Sequence, residues 1–257
     1  MDLVRQGGLD PYDLTDKVAV IAGGSGAIGS ATAHRLAAAG ATVVLGYRRH
    51  GPHVSDILAT LPGEGHWALP LPVDNTEAVD LAAAEVGARH AAVHVLVNAA
   101  GTTSKINHSD LGALDDHVFD EIFRVNVRGA YSVVRAFLPL LRSSGDAVVV
   151  NVSSLSAETG KGSSIAYCAS KAALDTMGKS LARVLAPEVR VIGVSPAAVD
   201  TDFVPGRSRE AVLDQARRSP LRTVVSPDDV AVSIMGAITH LRLTTGAVVL
   251  VDGGWHL

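Results

Sequence analysis

Tyr167 and Lys171 stand four residues apart in Tyr167-Cys168-Ala169-Ser170-Lys171. On a helix that spacing places both side chains on one face, a turn apart. A phenol beside an ammonium loses its proton more easily, because the cation favours the phenolate. Such a pair suits general acid/base chemistry near neutral pH. Read by itself, the pair is equally a half-buried helix residue beside a surface lysine.

A second chemical signal is Gly23-Gly24-Ser25-Gly26-Ala27-Ile28-Gly29, in which Gly24, Gly26 and Gly29 form a G-x-G-x-x-G. The glycines permit a tight turn and a close backbone approach to a pyrophosphate, which the following helix N-terminus attracts. Gly-rich turns are common, but this one follows an apolar run and opens an Ala-rich stretch, the context of a dinucleotide site. About twenty residues further on, such sites usually place an Asp or Glu for the ribose hydroxyls of NAD. Here the chain reads Gly46-Tyr47-Arg48-Arg49. A carboxylate would repel a 2′-phosphate, whereas Arg binds one bidentately. NADP(H) is therefore the expected cofactor. NAD(H) is the alternative if Arg48 and Arg49 form only a solvated loop.

These residues need a frame. From Lys17 onward, short β-branched runs alternate with Ala-rich stretches. The runs at 18–22, 42–46, 66–73, 93–98, 147–153, 189–195 and 247–252 are mostly continuous in apolar character. That pattern predicts strands buried on both faces, as in a covered parallel sheet. Helices are predicted over 30–39, 76–90, 114–141 and 169–185, and another beginning at Ser226-Pro227-Asp228-Asp229, a cap hydroxyl followed by Pro and two carboxylates. The expected architecture is α/β, a doubly wound parallel seven-stranded sheet with helices on both faces, Rossmann-type. A short arm (1–14) precedes a single domain (15–257).

Composition narrows the function further. The chain has 257 residues, 47% hydrophobic and 19% charged, which is globular and not disordered. A net charge of −4 without a basic run argues against nucleic acid as the main partner. No apolar run approaches the ~20 residues of a membrane span, and the N-terminus lacks a signal-peptide pattern. A single cysteine, Cys168, excludes an internal disulfide and suits a cytoplasmic protein. Cys168 reads as a packing residue. His90 and His94 stand at i, i+4, but no third ligand completes a metal pattern.

Taken together, the motifs resemble the short-chain dehydrogenase/reductase family, in its compact single-domain branch. The likeness runs from about residue 17 to 255. Its marks, in family order, are the Gly loop at 23–29, Asp74 after the third strand, Asn98-Ala99-Ala100-Gly101 at the fourth, Tyr167-x-x-x-Lys171, and the closing Thr245-Gly246 and Val251-Asp252-Gly253-Gly254. The resemblance implies that Ser154, thirteen residues before Tyr167, hydrogen-bonds the substrate oxygen. It implies that Tyr167 is the acid/base, that Lys171 holds the nicotinamide ribose and lowers the Tyr167 pKa, and that Asn126 supports a water linking Lys171 to solvent. It carries cofactor contacts onto Gly23, Ser25, Gly26, Ile28, Gly29, Tyr47, Arg48, Arg49, Asp74, Asn98, Ala99, Ala100, Gly101, Pro196, Val199 and Thr201. Ala99 and Ala197 depart from the family's usual Asn and Gly.

The activity so implied is hydride transfer between NADP(H) and a ketone or secondary alcohol, as in 3-oxoacyl-(acyl carrier protein) reductase-like ketoreductases. The alternatives are an NAD-dependent alcohol or sugar dehydrogenase and a non-catalytic dinucleotide-binding regulator. The partner is a small carbonyl or alcohol substrate, which the resemblance extends to acyl thioesters. A homotetramer that buries the last strand is the assembly expected from the family. The stretch 202–222 corresponds to its variable substrate lid. Arg207, Arg209, Arg217 and Arg218 there either greet an anionic substrate or form a solvated helix face, and Arg222 belongs to a structural Pro-Leu-Arg run.

Overall fold

The computed structural model describes residues 13–49 and 52–257, so residues 1–12 of the N-terminal arm lie outside it. Seven strands form one sheet: β1 (Val18–Ala22), β2 (Thr42–Tyr47), β3 (Trp67–Pro70), β4 (Val95–Asn98), β5 (Ala147–Val152), β6 (Val189–Pro196) and β7 (Val248–Val251). All pair in parallel, in the order β3-β2-β1-β4-β5-β6-β7. The continuous apolar runs are explained by two cores, one on each face. Ala19 and Ile21 of β1 point to one, against Leu36 of α1 (Ala27–Ala38) and Ile234 of α9 (Pro227–Thr239). Val18 and Val20 point to the other, against Val86 of α3 (Thr76–Arg89) and Phe137 of α5 (Ala130–Ser143). Since alternate strand residues face opposite ways, both sets must be apolar.

Two predicted strands are shorter in the structure. Of 66–73 only Trp67–Pro70 forms β3, where Pro70 and Pro72 carry no N–H to continue a ladder. Of 93–98 only Val95–Asn98 is strand. The largest correction concerns 114–141. There α4 (Asp116–Phe123) passes into a π-helical turn (Arg124–Gly129) before α5, so the stretch is three segments and not one helix. Gly129 ends that turn where a Cβ would meet Val73 at 2.8 Å. The extra residue of a π-turn re-aims one side chain, and such turns recur at functional sites.

The helix over 169–185 begins earlier than expected, as α7 (Ile165–Leu185), because the Ser164 hydroxyl accepts from the Tyr167 N–H at 3.2 Å. Tyr167 therefore sits in the first turn, at the site end of the sheet. α9 starts as its sequence indicates: the Ser226 hydroxyl accepts from the Asp229 N–H, and the Asp229 carboxylate accepts from the Ser226 N–H. Its other end is held by a buried arginine. Arg190 on β6 donates to the carbonyls of Ala237 (3.1 Å), Ile238 (3.0 Å) and Leu241 (2.9 Å). The Ala237 and Ile238 carbonyls lie in the last turn, where helical N–H partners run out, and the guanidinium replaces those at the negative dipole end; the Leu241 carbonyl also accepts from the Thr244 N–H at 3.0 Å.

His90 and His94 serve the frame. His90 accepts from the Trp67 indole at 3.2 Å, and His94 Nδ1 accepts from the Val18 N–H at 3.1 Å. They do not share a helix face, because α3 ends at Arg89. No helix among the described residues is long and apolar enough to cross a membrane.

Replacing Arg190 by Met keeps the buried stem but strips the Ala237 and Ile238 carbonyls of their donor. The expected cost is about 3 kcal/mol, seen in thermal unfolding as a midpoint lower by roughly 10 °C. An unchanged midpoint would show that the α9 carbonyls do not depend on Arg190.

Candidate active site

In a parallel sheet whose order reverses between β1 and β4, the strand carboxyl ends leave a crevice at the switch point. A cavity of about 1140 Å³ opens there. Its walls include Gly26–Gly29 at the start of α1, Ala99 and Gly101 after β4, and Ser154, Tyr167, Lys171, Pro196, Val199 and Thr201.

The turn into α1 shows why it is glycine-rich. Gly23 has φ +79°, and a Cβ there would lie 2.5 Å from the Ala100 N. A Cβ on Gly29 would lie 2.2 Å from the Gly23 carbonyl. The turn is thus pressed against β4 and against the helix that it opens. The Gly26 cap makes no side-chain hydrogen bond, and the first turn of α1 carries no acid. Helix N–H groups facing a cavity without a protein anion fit a pyrophosphate. By this test the residues fit a dinucleotide.

Tyr167, Ser154 and Lys171 come together on the opposite wall. All three are buried, Tyr167 at 8% and Lys171 at 4% exposure. The Ser154 hydroxyl stands near enough to the phenol to favour its ionised form. Lys171 Nζ lies 5.8 Å from the Tyr167 ring centre and donates to the Val152 carbonyl at 2.7 Å. Burial pushes the phenol up to about 12, against the pull of Ser154 and Arg207. Burial likewise lowers Lys171 to about 8, and Asp175, one turn on, holds it from falling further. The expectation that Lys171 lowers the Tyr167 pKa is not met. Its ammonium is turned to a carbonyl, and desolvation outweighs every attraction at the phenol.

Asn126 lies in the π-turn, 1% exposed. Its Oδ1 accepts from the Thr102 N–H (2.8 Å), while its Nδ2 donates to the Thr102 carbonyl and to Ser170 Oγ (both 3.0 Å). It ties the loop after β4 to α7 and makes no direct bond to Lys171 among these contacts.

Some expected cofactor residues lie away from the cavity. Asn98 Nδ2 donates across the sheet to Asn151 Oδ1 at 2.9 Å, while its own Oδ1 is buried without a partner among the described residues. Ala100 packs against Gly23. Ser25 precedes the α1 cap, and the His53 ring nitrogen sits 3.2 Å from its carbonyl. Tyr47 ends β2. Arg48 and Arg49 are exposed beyond it. Arg48 and Arg124 each approach the Asp74 carboxylate at 3.8 Å, and Arg128 donates to the Asp74 carbonyl at 2.9 Å. Arg124 was not singled out by motif. It joins Arg48 only through the π-turn. Cys168 packs against Gly162, and burial pushes its thiol pKa up, away from a reactive thiolate.

The loops that close the cavity are stitched to one another. Ile106 N–H donates to the Ser163 carbonyl (2.7 Å), and Lys105 Nζ to the Gly206 carbonyl (2.8 Å). Phe203 packs its ring 6.0 Å from that of Tyr167. These contacts join the stretch after β4, the stretch before α7 and the stretch after β6. No spacing rule named Phe203 or His108, which also lines the cavity.

A family model described as Enoyl-(Acyl carrier protein) reductase matches residues 22–256. A protein named as a ketoacyl reductase of the granaticin polyketide synthase, from Streptomyces violaceoruber, is 36% identical over 244 residues, 93% of this chain and 96% of that one. The cis-4-hydroxycyclohexanecarboxylate dehydrogenase of Sinomonas cyclohexanicum is 32% identical over 248 residues, 93% of this chain and 96% of its own. Among solved structures, a protein described as a short-chain dehydrogenase/reductase from Burkholderia xenovorans matches with a TM-score of 0.87 at 35% identity, over 95% of this chain and 99% of that one. Likeness of this extent shows that the protein belongs to the short-chain dehydrogenase/reductase family, oxidoreductases that use a nicotinamide cofactor to interconvert an alcohol and a carbonyl.

Proposed function

We propose that this protein is an NADPH-dependent ketoreductase in which Ser154, Tyr167 and Lys171 form the catalytic group. The observation that carries the reading is the convergence of the Ser154 and Tyr167 hydroxyls, with buried Lys171, in the cavity onto which α1 opens. When bound, the nicotinamide supplies the hydride. Ser154 hydrogen-bonds the substrate carbonyl oxygen, and Tyr167 gives that oxygen its proton. Burial suits this direction, since a phenol pushed up to about 12 is protonated throughout the neutral range. Lys171, lowered to about 8, is mostly an ammonium at pH 7 and can turn from Val152 to a ribose hydroxyl. Asn126 acts here as a positioning residue, holding the start of the 102–110 loop against α7.

The preference for NADPH rests on Arg48 and Arg124 standing past the end of β2, where no acid replaces them. One observation favours the NAD(H) alternative: Asp74 lies between both guanidiniums and offsets their charge. A non-catalytic regulator has no need of the buried Tyr167–Lys171 pair, whose desolvation is costly. Assembly into a tetramer is supported by β7, a half-buried edge strand, and by exposed Tyr131 on α5.

Three measurements test this reading. Consumption of NADPH against NADH with a ketone panel should favour NADPH, and Arg48→Ala should shrink that preference roughly 10-fold or more; no change in the ratio argues for NAD(H). Tyr167→Phe should lower kcat by at least about 100-fold while cofactor still binds; full activity would remove Tyr167 from the mechanism. The third concerns pH. Between about 8 and the ordinary 10.5 of lysine, the unfolded chain holds more protons at Lys171 than the folded one, so stability rises with pH. Above about 10 the trend reverses, because the folded Tyr167 keeps a proton that the unfolded one loses. Lys171→Met should therefore unfold at higher denaturant than the parent at pH 7, by on the order of 3 kcal/mol, with the gap closing toward pH 10. A gap that is constant with pH would show that burial of this ammonium has no such cost.

A further inference from the structure

The arginines of 202–222 separate in the structure. Arg209, Arg217 and Arg218 lie on α8 (Arg209–Arg218), exposed, each in an ion pair: with Asp200 at 3.4 Å, Glu210 at 2.8 Å and Asp214 at 2.8 Å. Arg207 is different. It is half-buried and lines the catalytic cavity. One of its donors, Nη2, is taken by the Val199 carbonyl. Its Nε–H is buried and meets no acceptor among the described residues. His108, in the same wall, likewise has its Nε2 buried without a partner among the described residues. Both residues line the cavity, and the hydrogen-bonding capacity of neither nitrogen is used among the described residues.

The surroundings specify the ligand. Asp200, the carboxylate whose field reaches Arg207, is already paired with Arg209. The cavity wall holds Lys105, Lys161, Arg207 and His108 against a single acid, the exposed Asp202. The remainder is largely apolar, with Leu155, Ile106, Phe203 and Val204. Such a wall suits an anion attached to a hydrocarbon body. The anion must sit close to the reacting centre, since Phe203 touches the Tyr167 ring and Arg207 follows it by four residues. That places the anion within a small molecule and not at the far end of a carrier arm.

We propose that the substrate is a compact oxo acid, whose carboxylate is held by Arg207 with His108 as a second hydrogen-bonding group, while Ser154 and Tyr167 hold its carbonyl. The proposal rests on the ketoreductase reading above and adds the substrate class to it. A guanidinium matches a carboxylate in plane and in charge. A neutral ester of the same acid still accepts a hydrogen bond but brings no charge to the guanidinium, and binds more weakly for that reason.

The test separates binding from turnover. Calorimetric titration of the enzyme–NADPH complex would compare 4-oxocyclohexanecarboxylate with its methyl ester, and 3-oxobutanoate with its ethyl ester and its coenzyme A thioester. NADPH consumption would be followed in parallel. The acids should bind roughly 10- to 100-fold more tightly than their neutral esters. Arg207→Met should collapse that ratio toward one, and Arg207→Lys should restore part of it. His108→Ala should reduce it by a smaller factor. Equal binding of acid and ester by the unaltered enzyme overturns the carboxylate site, as does undetectable binding of both acids or preference for the thioester. NADPH consumption then decides the other reading separately. Reduction of the neutral ketones alone keeps the reductase and removes the oxo acid, whereas tight binding of acids without NADPH consumption keeps the site and removes the reductase.

Discussion

Every strand of this sheet runs in the same direction, so each is left by a crossover and all seven carboxyl ends gather along one rim. The rest of the molecule follows from that constraint. Helices must cover both faces, which is why the strands are apolar at most positions. The reversal of order between β1 and β4 leaves a gap at the rim, and the loops that surround it are the ones free to carry chemistry. The Gly turn, the Asn98–Asn151 bond and the Arg190 cap of α9 all hold elements to that frame.

Placing reactive groups in the gap costs desolvation. The cavity buries an ammonium and a phenol together, pushing their pKa values apart, Lys171 down and Tyr167 up. The direction of both shifts favours a neutral phenol. Attraction between the two is minor here, because Lys171 is aimed at the Val152 carbonyl. Asp175 shares the cost: burial raises its own pKa, and the nearby Ser153 and Lys171 draw it back. The site is a strained electrostatic compromise, held by α7 and β5 rather than by its own contacts.

The sheet, its direction and most of α7 were legible from periodicity, but not the first turn of α7, which carries Tyr167. A strand covered on both faces is mostly apolar, and 18–22 and 147–150 say so without help. The Gly turn was legible because only glycine tolerates the close approach between Gly29 and Gly23. The π-turn was not. A single inserted residue in a helix leaves no change in composition, and 114–141 reads as one amphipathic stretch. The shortened β3 and β4 were equally hidden, since pairing ends where a neighbour turns away.

The chain order by itself determined which residue types were available: a Tyr and a Lys a turn apart, glycines at a strand end, arginines where an acid often stands. Only the tertiary structure decided what each of them faces. Arg207 and Arg217 are alike in sequence, but one meets the cavity and the other Glu210. Lys171 was expected to act on Tyr167 and instead meets a carbonyl of β5. Spacing along a helix sets which side chains are neighbours, whereas their protonation depends on how much water the surrounding elements exclude. That exclusion comes from α7, the loop at 102–108 and the 201–207 segment closing together, and no single stretch of sequence contains it.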